Sequence, residues 1–120
     1  MITSRYFNES EFKKCVPSCS LQDMKQSTMN RFDMAREIAG IPLVVNSAYR
    51  SPEWDRAKGR SGTGAHTLGR GIDIRCNTDG NRHKLVSALM KAGFTRIGIA
   101  KTYIHADDSQ NHSQEIIWLY

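Results

Sequence analysis

An α+β domain, with helices packed on an antiparallel sheet, is the fold that three observations predict. Met29, Phe32, Ala35 and Ile38 form an apolar stripe at helical spacing that stops at Gly40. Gly71-Ile-Asp-Ile-Arg75 alternates as a half-buried strand does, and the runs Thr95 to Ala100 and Thr102 to Ala106 read as a strand pair. At 120 residues the chain suits one domain with a modest core and is too short for two.

Taken in order, residues 1–40 read as a helical scaffold and 43–120 as the core that carries the motifs. Asn8-Glu-Ser-Glu11 has the form of a capping box before Phe12, Pro17 with Ser18 breaks the segment after it, and Ser20-Leu-Gln-Asp23 is a second start signal. The methionines of the next helix read as core filling, and Gly40 as its C-terminal cap. Leu43 to Tyr49 is a strand that leaves the core at Asn46. Ser51-Pro52-Glu53 then opens a short helix, with serine as cap and proline in the first turn.

Lys58-Gly-Arg-Ser-Gly-Thr-Gly64 is a glycine-rich loop. No Gly-Lys-Ser/Thr signature comes after it, so it reads as the mobile lip of a cleft rather than a phosphate cradle. A helix starting at Gly80 or Asn81 presents Leu85, Val86, Leu89 and Met90 on one face, ends at Gly93, and leaves His83 exposed. Two antiparallel strands joined near Lys101 come next, and Glu115 to Leu119 is a final strand. Trp118 reads equally well as cleft wall or core.

Lys and Arg exceed Asp and Glu by 17 to 12, for a net charge of +5. The basic residues are scattered rather than striped, which argues against nucleic acid and suits an anionic polymer or plain solubility. Met1-Ile-Thr-Ser-Arg-Tyr-Phe-Asn-Glu lacks a charged start followed by an apolar run, so synthesis in a cytoplasm is expected, and no segment is apolar enough to span a membrane. Cys15, Cys19 and Cys76 make an odd number that closes no disulfide framework. A second metal site is a weaker reading than three separate thiols.

The chemistry concentrates in two stretches. Gly64-Ala-His-Thr-Leu-Gly-Arg-Gly-Ile-Asp73 sets a histidine and an aspartate seven positions apart around a glycine-bearing turn, and strand alternation puts Asp73 on the face opposite Ile72 and Ile74. In Tyr103-Ile-His-Ala-Asp107, residues 103, 105 and 107 share one face. A catalytic zinc needs three protein ligands and an open position for water, and His66, Asp73 and His105 supply that set. His112, in a polar loop, is a candidate replacement ligand.

These residues resemble the zinc D-alanyl-D-alanine carboxypeptidases and related phage endolysins and L,D- or D,D-peptidases, which share a hedgehog-like fold. Their first motif is Ser-x-His-x-x-Gly-x-Ala-x-Asp; here the spacing of His66, Gly69 and Asp73 matches, with glycines at 64 and 71. Asn46-Ser-Ala-Tyr-Arg50-Ser-Pro is similar to the family's Ser-Gly-Tyr-Arg segment, which implies that Arg50 faces the scissile carbonyl and that Ser47 lies on the substrate side. The likeness runs from about Val44 to the C-terminus. Many members carry the base as Glu-x-x-His or His-x-His, and those positions hold Thr102 and Tyr103. A subgroup carries His-x-Asp, so the resemblance makes Asp107 the expected base.

The expectation is therefore a monomeric, zinc-dependent peptidase of peptidoglycan cross-links or stem peptides, of D,D- or L,D-type, with no nucleic-acid or membrane partner. It would act at the bacterial cell wall, carried by a virion or released at lysis. The rival readings are a non-catalytic, zinc-stabilised cell-wall-binding module and a basic nucleic-acid-binding domain.

Overall fold

The computed structural model describes Met1–Tyr120. Four helices pack on one five-stranded sheet: α1 (Glu9–Lys13), α2 (Gln26–Ala39), α3 (Pro52–Ala57), α4 (Asp79–Lys91), and β1 (Val45–Ser47), β2 (Gly71–Arg75), β3 (Arg96–Ile99), β4 (Tyr103–Asp107), β5 (Ile116–Leu119). The strand order is β1-β2-β4-β3-β5. The first four strands pair antiparallel, as expected, but β5 joins β3 in parallel and makes the sheet mixed. Both the end of β4 at Asp107 and the start of β5 at Ile116 lie beside Arg96, so residues 108–115 cross over that end of β3 and the last strand runs in its direction.

The start signals hold. Asn8 and Ser20 each close a capping box, the second on a 3-10 turn at Leu21–Asp23, and Ser51 accepts from Trp54 N–H at the head of α3. In α2 the stripe runs out at its end: Met29, Phe32 and Ala35 are buried, whereas Ile38 is 43% exposed. A helix turns about 100° per residue, so each step of three drifts backwards and the third step arrives on the opposite face. The buried face of α4 is Leu85, Ala88 and Leu89, with Met90 turned to solvent. Phe32 of α2 meets Phe94 beyond α4 at 4.5 Å between ring centres, and Arg31 donates to Gly93 O.

Ile72, Ile74, Ile97 and Ile104 seal the sheet against the helices, each burial contributing about 1.5–3 kcal/mol. The opposite face of β2 is covered as well, because the 3-10 turn Ala65–Leu68 packs on it. The strand is thus buried on both faces rather than half-buried, and Asp73 is enclosed. No helix is long and apolar enough to cross a membrane. Cys15, Cys19 and Cys76 carry free thiols, and none joins the cluster of metal-ligating side chains.

Candidate metal centre

Sheet register brings the two motifs together. Asp73 on β2 pairs directly with His105 on β4, so their side chains rise side by side from one face. The 3-10 turn lowers His66 onto the same spot and ends at Gly69, whose backbone is left-handed at φ 70°; a Cβ there would lie 2.3 Å from Asp23 O. Glycine at this point of the motif is thus required by both the turn and the close approach.

Asp73 Oδ1 lies 3.2 Å from His66 Nε2 and 2.8 Å from His105 Nδ1, and one ligand atom of each residue falls within 4.8 Å of the others. All three side chains are buried. The far nitrogens are tied back: His66 Nδ1 donates to Ala48 O at 2.6 Å, and His105 Nε2 donates to Asp107 Oδ2 at 2.6 Å. When neutral, each ring would keep its proton on the outer nitrogen and turn the inner one toward Asp73, where a cation would be met by two nitrogens and an oxygen. Two imidazole nitrogens and a carboxylate oxygen, each ring fixed by a partner behind it, are the donor set and the outer support that zinc takes. The residues fit the metal.

Without a cation the same crowding shows in the ionisation of the groups. Burial pushes the Asp73 carboxyl up, but hydrogen bonds from His105 and His66 outweigh it and hold the group well below the usual carboxylate range. Burial would lower His105, yet its bonds to Asp107 and Asp73 raise it overall. Asp107 is lowered: burial opposes ionisation, and the bonds and charges of His105 and Arg96 overcome it.

Arg50 reaches Asp73 Oδ2 with Nη2 at 3.4 Å and donates from Nε to Ser47 Oγ at 3.2 Å. Ser47, expected on the substrate side, is buried and accepts from that guanidinium. Asp107, expected as the base, is held by partners on both oxygens. It is 0% exposed, its Oδ1 accepts from Arg96 Nε at 2.7 Å and from Ser109 N–H, and its Oδ2 accepts from His105 Nε2. Arg96 stands opposite it in the register of β3 and β4. Asp108 lies elsewhere, bonded to Thr28 and Arg70, and His112 bonds Ser109 instead of joining the cluster.

The expectation about Trp118 resolves toward the cleft. β5 lays Trp118 and Tyr120 across Gly98 of β3, with the indole 5.5 Å from the His105 ring and Tyr120 5.3 Å from Tyr103. A Cβ at Gly98 would lie 2.6 Å from the indole, so glycine is what lets the rings settle there. Burial pushes the Tyr103 hydroxyl up, the Asp73 charge adds to this, and Arg50 and Arg60 oppose it. The sequence offers Trp118 as wall or core but does not single out Tyr103 and Tyr120 beside it, although the alternation of Trp118 and Tyr120 opposite a strand glycine is a signal for them.

The sequence profile of the family described as Peptidase M15 matches residues 5–107, which include His66, Asp73, His105 and Asp107 but not Trp118 or Tyr120. No curated protein matches the chain.

Proposed function

The chain belongs to the Peptidase M15 family, whose members are zinc metallopeptidases, and from that premise we propose that it hydrolyses a peptide bond in peptidoglycan cross-links or stem peptides, as a D,D-carboxypeptidase or endopeptidase. The convergence of His66 Nε2, Asp73 Oδ1 and His105 Nδ1 supports this reading most strongly. Zinc held there would acidify a bound water and polarise the substrate carbonyl.

The chain's own residues divide the remaining work. Arg50, braced by Ser47 and Asp73, is a charged donor at the edge of the site and serves either the oxyanion or a substrate carboxylate. Asp107 is a positioning residue that keeps the proton of His105 on Nε2. Trp118, Tyr120 and Tyr103 wall one side and limit the water that reaches the reacting bond. Residues 1–40 act as scaffold for the motif-bearing remainder. We place its action at the bacterial cell wall, as a monomer, with delivery by a virion or by lysis.

The burial of Asp107 favours one second reading, a zinc-stabilised module that binds the cell wall without cutting it. Incubating the zinc-loaded protein with purified peptidoglycan separates the two. Release of new amino groups, abolished by a chelator and restored by zinc, supports hydrolysis, whereas sedimentation with the wall and no release supports the binding module.

A further inference from the structure

We infer that Trp54, Lys58 and Arg60 form, beside the metal centre, a subsite for a carboxylate carried by the peptide next to the scissile bond. The inference rests on the peptidase reading for its ligand class and adds to it a preference for anionic peptides.

Three cations surround a single indole. Arg50 Cζ, Lys58 Nζ and Arg60 Cζ lie 5.8, 5.4 and 5.8 Å from the centre of the Trp54 ring. Gathering like charges is unfavourable, and the negative face of one ring offsets only part of the repulsion. Arg50 finds a carboxylate in Asp73. Lys58 and Arg60 have none. Glu53 of the same helix pairs with Arg56, and Asp55 is buried with its Oδ2 accepting from Gly62 N–H at 3.0 Å. The two free cations await an anion that the protein does not supply.

The loop that presents them is held in shape. Arg60 N–H donates to Asp55 O at 3.1 Å and Gly59 N–H to Arg56 O at 2.9 Å, so the backbone from residue 55 to residue 62 turns around the buried Asp55. Arg50 links the indole to the metal-binding cluster, with its guanidinium over Trp54 and its Nη2 on Asp73, and the loop runs on directly into His66. A carboxylate placed here meets the fork of Arg60 and the ammonium of Lys58, while the carbon chain behind it lies on the indole face.

An acidic side chain and a free C-terminus both present this chemistry, and three otherwise identical short peptides distinguish them: one with Glu and an amidated end, one with Gln and a free end, one with Gln and an amidated end. Calorimetry on the zinc-loaded full chain at low salt is expected to show at least one carboxylate peptide binding about three- to tenfold tighter than the neutral one, the scale of two exposed ion pairs. In Lys58→Ala/Arg60→Ala that advantage should vanish with melting temperature and zinc content unchanged, and in the unaltered protein it should fade at high salt. The subsite is overturned if the unaltered protein binds all three peptides alike, or if the advantage survives in the double variant, which would assign it to Arg50 alone. Cleavage of the same peptides is scored separately. Preferential binding without any cleavage would sink the peptidase reading and leave the subsite standing; cleavage without preference would do the reverse.

Discussion

Asp107 Oδ2 sits 2.6 Å from His105 Nε2, on the far side of that ring from Asp73, and so leaves Nδ1 as the nitrogen that His105 would turn toward a metal. Arg96 closes the arrangement by donating to the other Asp107 oxygen across the β3–β4 pair. This geometry supports a proposed role in orientation for a carboxylate that the family resemblance makes the expected base.

Asp107→Asn should therefore weaken zinc binding about 10- to 100-fold in a chelator competition, the usual cost of losing an outer partner of a ligating histidine. The fold should also lose stability, because Arg96 is left beside an uncharged group. Unchanged zinc affinity in the folded variant would reduce Asp107 to a purely structural residue.

Arg50→Ala removes a charged donor from the edge of the site. A loss of about 2.7–4 kcal/mol of transition-state stabilisation, at least a hundredfold in turnover, is expected with zinc still bound. Steady-state kinetics on a peptide substrate, with metal content measured alongside, checks this; near-normal turnover would make Arg50 only a partner of Asp73.

Gly98→Ala tests the aromatic wall. The added methyl would collide with Trp118 and Tyr120, which must lift off β3, at a cost of about 1–3 kcal/mol if the sheet yields only partly. A changed near-ultraviolet circular dichroism spectrum and a lower melting temperature are expected, and unaltered aromatic signals would mean that the rings do not lie across this glycine.

The metal-free protein should respond to pH in two directions. His105 is raised above its ordinary value of 6.5, so its contribution to stability is complete below that pH and is lost as pH rises through the folded value. Asp73 is lowered below 3.8, so its contribution is present above that pH and is lost as pH falls. Zinc requires the neutral form of His105 and displaces its extra proton. The rise in melting temperature on adding zinc should accordingly be larger at pH 8 than at pH 6, and the opposite trend would contradict His105 as a zinc ligand.

Much of this arrangement could be read before any coordinates. The spacing of His66, Gly69 and Asp73 carried the turn and two members of the cluster, and alternation along β2 and β4 placed Asp73 and His105 on one face. Local patterns could not say what stands behind a side chain. The engagement of Asp107 depends on Arg96, eleven residues away in the chain and opposite only through strand register. The parallel return of β5 likewise depends on a polar loop with no turn signature. Ser47 is expected from the resemblance on the substrate side, and its burial beneath the Arg50 guanidinium is a tertiary fact that no local pattern carries.

The most direct test of the metal centre is the zinc content of the purified protein, measured by elemental analysis beside that of His66→Ala. About one zinc per chain in the first and its loss in the second, with secondary structure retained, is the result that the convergence of His66, Asp73 and His105 predicts. A chain that takes up no zinc, with His66→Ala changing neither metal content nor melting temperature, would contradict it.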